Sequence, residues 1–151
     1  MKSILLLGAV AIVSQLTTPS TAHEHSALRQ LGDKESKNDD AKAEAAAEAF
    51  LAGYIQSDAK NVEWVANSKL VTSEFKAAFK KAMASELVDA DPVLFAQDIP
   101  STPFKATSSS VKGEVAMVKV SAKFGEDPFK LTVTLVSKDG HWLVSKTAPL
   151  K

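Results

Sequence analysis

Cysteine is absent from all 151 residues of this chain. Disulfides, thiolate catalysis and cysteine-ligated metal sites are therefore excluded. A lipid anchor of the bacterial lipoprotein type is excluded as well, because it requires a cysteine just after the apolar core of an export signal. The folded protein must be held together by packing alone.

Net charge is also lacking, since 18 basic and 18 acidic side chains cancel. Such a balance gives no electrostatic reason to expect a nucleic acid or an anionic membrane as partner. Arginine occurs once, as Arg29, so no arginine cluster marks a binding hot spot. A phosphate-binding glycine loop and a nucleophile elbow are missing too, which argues against those two kinds of active site.

The chain has no apolar run long enough to span a membrane. The uncharged segment from Ser3 to Leu16 is shorter than the roughly 20 residues that a spanning helix needs. Lys2 precedes this segment, and Ser20 and Ala22 supply the small residues of a cleavage site. We therefore predict a signal peptide over residues 1–22 and a periplasmic or secreted product with no membrane insertion after cleavage.

The next segment, residues 23–39, is polar and charged and has no apolar periodicity. A segment of this composition cannot bury enough surface to offset the entropy of ordering it, so we interpret it as a mobile leader. Residues 40–151 remain for one domain, which is an ordinary size for a single hydrophobic core.

Apolar residues recur every three or four positions from Ala43 to Ile55, which predicts an amphipathic helix. We expect Asp39 or Asp40 to cap its start and Glu44 and Glu48 to face water. Gly53, within this helix, would permit the close approach of another element.

A second helix is predicted after Thr72 or Ser73, either of which can cap it. Both helices are apolar on one side and need a flat surface to cover. From Pro103 onward the apolar period changes to two, as in strands of a sheet covered on one face. Asp139-Gly140 is a strong hairpin signal between two such runs. We therefore expect an α+β fold with N-terminal helices packed on a curved antiparallel sheet of about four strands.

This order of elements resembles the nuclear transport factor 2-like, or cystatin-like, cone. Asp91-Pro92 and Ala96-Gln97-Asp98 are similar to a segment of an uncharacterised family of small bacterial envelope proteins with this fold. Asp139-Gly140-His141-Trp142 matches the Asp-Gly-x-Trp ending of that family. The resemblance spans Glu48 to Thr147 and implies the cone fold and an envelope location, with no established activity. The missing lipidation cysteine departs from many members and favours a soluble form.

The first candidate site lies at the predicted mature N-terminus. Cleavage after Ala22 would expose His23-Glu24-His25, whose amino group, amide nitrogens and third-position imidazole form a square-planar set. Nitrogen sites of this geometry select copper(II) or nickel(II). His23 and His25 are thus candidate metal ligands, and a solvated tail is the alternative interpretation.

The second candidate site is the cone that the resemblance implies. Apolar pockets with a few polar groups are the usual sites of small ligands. An aspartate buried there beside a tyrosine is a candidate general base with a raised pKa. Core packing of the aromatic residues, and turn or cap roles for Asp91 and Asp98, are the alternative interpretation. The candidate lining residues are Tyr54, Trp64, Phe95, Gln97, Asp98, Met117 and Trp142.

The sequence favours a non-enzymatic exported module that binds a small ligand or a partner protein through its cone. The resemblance implies that such a protein can neutralise a toxin or form a homodimer through its open sheet face. The alternatives are an N-terminal copper- or nickel-binding protein and a small enzyme that uses Asp98 and Tyr54. No cofactor other than the copper is expected.

Overall fold

The computed structural model describes residues 22–85 and 90–150, with side chains from residue 37 onward. Within these ranges three helices come first, and one 3-10 turn at Asp58–Lys60 separates the first two. These helices are α1 (Ala22–Ser57), α2 (Asn61–Asn67) and α3 (Ser73–Met83). Four strands follow them: β1 (Lys105–Lys112), β2 (Val115–Phe124), β3 (Asp127–Lys138) and β4 (His141–Pro149).

The four strands form one antiparallel sheet in the order of the chain, β1-β2-β3-β4. Each pair is joined by a tight turn at a position that the sequence indicates. Asp139 and Gly140 adopt φ angles of 52° and 77°, the positive values that a two-residue hairpin turn requires. Helices followed by a four-stranded antiparallel sheet confirm the predicted α+β fold class.

The core lies between the helices and one face of the sheet. Alternate residues of β2 and β3 are completely buried, among them Val118, Val120 and Val133. Ala43 and Ala47 of α1 are buried as well, and their small side chains let the helix axis lie close to the strands. The period-two pattern of the sequence therefore identified the covered face of the sheet.

Two glutamates attach α1 to the edge strand β1. Glu48 accepts a hydrogen bond of 2.8 Å from the backbone N–H of Ala106 and pairs with Lys105 at 3.0 Å. Glu44 accepts one of 2.6 Å from the hydroxyl of Ser109. The prediction that both glutamates face water is wrong, because β1 supplies donors that helical periodicity cannot reveal. The Ala106 N–H and then Lys105 hold the pKa of Glu48 below its usual value.

The N-terminal end of α1 differs from the prediction. The helix continues back to Ala22, so Asp39 and Asp40 lie inside it and do not cap its start. Residues 1–21 of the predicted signal peptide lie outside the described residues, and cleavage after Ala22 stays a prediction. Residues 23–39, which we interpreted as a mobile leader, lie in α1. None of the described helices is long and apolar enough to cross a membrane.

A short backbone connection fixes α3 against the last strand. The N–H of Val144 donates to Leu70 O at 2.8 Å, and the N–H of Thr72 donates to Val144 O at 3.0 Å. The Thr72 hydroxyl then accepts a hydrogen bond of 3.1 Å from the N–H of Phe75. The predicted cap at Thr72 is therefore confirmed, and it starts α3 directly beside β4.

Gly53 is the contact point between α1 and α2. A Cβ atom at this position would lie 3.2 Å from Cε2 of Trp64 and closer still to its Cζ2. The indole therefore lies against the bare backbone of α1, where a side chain would collide with it. The predicted role of this glycine in a close approach is confirmed.

Replacing Gly53 by alanine tests this contact. Glycine to alanine inside a helix ordinarily stabilises it by about 1 kcal/mol. Here we expect Gly53→Ala to lower the free energy of unfolding by about 1–3 kcal/mol, because the added methyl overpacks against the indole. Chemical denaturation measures the change. In a Trp64→Leu background the same substitution should be neutral or stabilising, and stabilisation in the wild-type background would contradict the contact.

Candidate functional site: a closed cone and an open sheet face

The interior of the cone is filled by aromatic rings from the three helices. The ring of Phe50 lies 5.4 Å from that of Phe75, 5.8 Å from that of Trp64 and 6.1 Å from that of Tyr54. Phe79 meets Tyr54 edge to face at 6.0 Å. These separations are those of packed aromatic pairs. The rings thus occupy the volume that we predicted as a ligand cavity.

Tyr54 carries the polar group of this interior. Its side chain is 3% exposed, and its hydroxyl donates a hydrogen bond of 2.5 Å to Oδ2 of Asp91. Asn61 Nδ2 donates to the same hydroxyl at 3.3 Å. Burial and then the Asp91 carboxylate raise the pKa of Tyr54 above its ordinary value. The phenol therefore stays protonated into the alkaline range and donates its hydrogen bond to Asp91.

Asp91 also holds the segment that follows α3. Its Oδ1 accepts hydrogen bonds of 2.8 Å from the N–H of Val93 and 2.7 Å from the N–H of Leu94. The backbone of this segment closes on itself, since Asp91 N–H donates to Ala96 O at 2.9 Å and Phe95 N–H donates to Asp91 O at 2.7 Å. The Asp-Pro motif therefore builds a capped loop that covers the cone.

Phe95 takes a strained position in this loop. Its φ angle is 57°, a left-handed value that is uncommon for a residue with a bulky side chain. The side chain is 42% exposed and does not enter the cone. Gln97 and Asp98 are exposed as well. The carboxylate that contacts Tyr54 belongs to Asp91, whereas the sequence interpretation assigned that contact to Asp98.

The structure thus brings together only part of the predicted site. Tyr54 and Trp64 are neighbours, with ring centroids 6.4 Å apart. Met117 lies on the opposite side of the sheet, because its strand neighbours Ala116 and Val118 face the core. Sequence reasoning assigned Asp91 only a turn role and missed Asn61, since hydrogen bonding to Tyr54 depends on tertiary packing.

Trp142 is buried in the same hydrophobic core, beneath a surface groove of about 600 Å³. The groove lies where the β3-β4 hairpin meets α1 and the α2-α3 connection. Lysines and a histidine dominate its polar rim, and Asp139 supplies its single carboxylate. The rim side chains that carry or can carry positive charge are Lys42, Lys69, Lys138 and His141.

The face of the sheet that points away from the helices is exposed to solvent. Its strands present alternating residues to solvent, including Val115 at 44% and Met117 at 51% exposure. We call this surface the outer face. Its members are Lys112, Val115, Met117, Lys119, Lys130, Thr132, Thr134, Val136, Leu143 and Lys146.

Within the part of the chain whose side chains are described, no group of three histidine, aspartate or glutamate residues is placed to hold a metal ion. His23 and His25 precede that part, although the backbone of α1 includes them. Copper or nickel binding by these two residues stays a prediction.

The cone architecture and the matching sequence pattern define the class of protein. Residues 38–147 match the model of a family described as "Putative lumazine-binding", whose fold is nuclear transport factor 2-like. The chain belongs to this family. Comparison with curated proteins finds none that matches.

Solved structures share the same architecture. Two matching chains come from crystal structures of the type VI effector-immunity complex Tae3-Tai3 from Ralstonia pickettii, at 24% and 26% identity. Their TM-scores are 0.59 and 0.60, and the matches cover 72% of this chain and 94% and 97% of the other two. A protein of unknown function from Bacteroides thetaiotaomicron matches at 19% identity and a TM-score of 0.54, over 83% of this chain and 99% of its own.

The single tyrosine makes the interior hydrogen bond directly measurable. Tyr54 is the only tyrosine in the chain, so ultraviolet absorbance of the phenolate reports this residue alone. We expect the folded protein to ionise at a pH clearly above the ordinary pKa of 10.0. Because the unfolded chain ionises first, stability is lost as pH rises above about 10. The Tyr54→Phe variant should not show this pH-dependent loss of stability. Ionisation of Tyr54 in the folded protein at the ordinary pKa would contradict its burial beside Asp91.

The two aspartates of the loop provide a matched pair of substitutions. Asp91→Ala removes the acceptor of the Tyr54 hydroxyl and of two backbone N–H groups. We expect a loss of about 2–3 kcal/mol in the free energy of unfolding, because these donors are left unpaired. Asp98→Ala, at an exposed position, should change it by less than about 0.5 kcal/mol. Thermal or denaturant unfolding measures both, and the reverse order would show that Asp98 supports the loop.

Proposed function

We propose that this protein is an exported binding partner of another protein, in the manner of an immunity protein that neutralises an effector. The observation that carries the proposal is the closed cone. Phe50, Phe75 and Phe79 are buried, and Tyr54 is hydrogen-bonded to the covering loop. A ligand in the cone would have to displace these packed rings, so the binding function is assigned to the surface.

Similarity to chains of an effector-immunity complex supports a protein partner. The 26% identical match covers 97% of the matched chain and most of the domain described here. Each member of such a complex binds the other protein. The similarity therefore favours a protein-binding surface, whichever member of the pair the matched chain is.

The chemistry of the side chains supports an inhibitory role over an enzymatic one. The sequence has no cysteine nucleophile, and Tyr54 is held protonated within a hydrogen-bond network. His141 is exposed beside Gly140 in a tight hairpin. Among the described residues these groups do not form a nucleophile–base pair, so we assign to this chain the binding role and to its partner the enzymatic one.

Export to the periplasm or cell exterior is part of the same proposal. It rests on Lys2, the short apolar run after it and the small residues at Ser20 and Ala22. An effector acting outside the cytoplasm requires its inhibitor in the same compartment.

The family description favours a second candidate, a small planar ligand. The groove beside Trp142 offers an aromatic ring and a rim of lysines in a volume of about 600 Å³. This volume is sufficient for a drug-sized molecule. A lumazine-type heterocycle bound there would be detected as quenching of tryptophan fluorescence that Trp142→Phe abolishes, with Trp64→Phe as the matched control.

Native mass spectrometry of protein exported by cells of the source organism distinguishes the two candidates. We expect a stoichiometric complex whose added mass is that of a protein. Producing that partner in the cell envelope should slow growth, and producing this chain with it should restore growth. The denatured mass of the same sample tests cleavage after Ala22.

Two outcomes would contradict the proposal. An added mass of a few hundred daltons, without a protein, would establish the family's small-ligand function instead. A bound protein that is harmless to the cell would leave a binding function and remove the inhibitory one. Copper mass that disappears on deletion of His23 to His25 would establish the metal function separately.

A further inference from the structure

Charge is segregated on this electrically neutral chain. The four strands contain seven lysines and a single carboxylate, Asp127, which is the first residue of β3. None of the outward-facing strand positions holds an acidic residue. Apart from Asp127, the acidic side chains of the described domain lie in the helices, loops and turns, so the outer face is positive.

Four lysines of this face are exposed and have no carboxylate partner. Among the described residues, Lys112, Lys119, Lys130 and Lys146 take part in no ion pair. In contrast, Lys105 and Lys123 at the margins of the sheet pair with Glu48 and Glu126. The central positive charge is therefore available to an external partner.

An apolar row crosses the same face. Val115 lies opposite Val136, which in turn lies opposite Leu143. Since neighbouring strands are about 4.8 Å apart, this row extends about 10 Å across the sheet. Met117 is the next outward residue along β2 and widens the row. Two of these side chains are among the most exposed large apolar residues of the described chain.

We infer that the outer face is the docking surface for the partner protein and that the partner presents acidic side chains around an apolar contact. This inference rests on the protein-binding function proposed above. An apolar centre with a charged rim is the ordinary anatomy of a protein–protein interface. Complementary charge steers association and selects the partner, because like charges are repelled.

The charges and the apolar row argue against other occupants of this face. A second copy stacked through this face would bring lysines against lysines, so the homodimer implied by the family resemblance is disfavoured here and stays a prediction. A nucleic acid or an anionic membrane would match the lysines. On a nucleic acid the Val115–Val136–Leu143 row would face phosphate groups, with which apolar side chains make no favourable contact.

A photo-crosslinking amino acid at Thr132 tests the location. Thr132 lies opposite Lys119 in the sheet register, near the middle of the outer face. The full chain carrying this residue is produced in cells of the source organism, illuminated and analysed by mass spectrometry. A chain with the same residue at Ala49, an exposed position of α1, is the control. We expect a protein adduct from position 132 and none from position 49.

Charge reversal tests whether the lysines of the outer face attract the partner protein that the adduct identifies. Lys119→Glu combined with Lys146→Glu should weaken the purified complex at least about tenfold, and added salt should weaken the wild-type complex. Lys80→Glu combined with Lys81→Glu makes the same charge change on exposed positions of α3. This control should alter affinity by less than about twofold, and thermal unfolding verifies that both variants fold.

The results of these two experiments distinguish failure of the proposed docking surface from failure of the proposed protein-binding function. A protein adduct from position 49 alone, or equal loss of affinity in both double variants, would overturn the outer face as docking surface and leave the protein-binding function intact. Adducts only to a second copy, to lipid or to nucleic acid would overturn the acidic protein partner. A small molecule bound in place of any protein would overturn the proposed function itself.

Discussion

The hydrogen bond from the Tyr54 hydroxyl to Asp91 is the interaction on which the cone depends. It joins the centre of α1 to the loop that follows α3, over a sequence separation of 37 residues. Because Asp91 also receives the N–H groups of Val93 and Leu94, one carboxylate orders the loop and attaches it. A tyrosine buried without this acceptor would carry an unsatisfied hydroxyl in an aromatic environment, which is unfavourable.

Because the interior of the cone is filled, we look for the binding site on the surface of the protein. The interior of a nuclear transport factor 2-like fold can be left open for a ligand or filled by side chains. Here Phe50, Phe75 and Phe79 fill it, and Gly53 allows Trp64 to complete the packing. The stability that a cysteine-free domain requires comes from this interior. A family description that refers to a small ligand therefore does not by itself place that ligand in the cone.

The two faces of the sheet have different roles: one forms the core and the other is exposed to solvent. Its covered face, with Val118, Val120 and Val133, forms the core. Its outer face combines lysines with an apolar row, the arrangement from which we infer an acidic protein partner. Both properties arise from the alternation of side chains along β2 and β3, since a strand places successive residues on opposite sides.

The sequence by itself determined the elements: the 3.6-residue period gave α1 and α3, the period of two gave the strands, and Asp139-Gly140 gave a hairpin. It also identified the Thr72 cap and the close approach at Gly53, because these depend on local backbone chemistry. Only the tertiary structure decided that Asp91 and not Asp98 binds Tyr54, and that Glu44 and Glu48 bind β1. It also decided that Met117 lies on the outer face and that Trp142 lies beneath the groove at the β3-β4 hairpin. These relations join residues distant in sequence, and a periodic pattern records which side of an element is buried without recording what it is buried against.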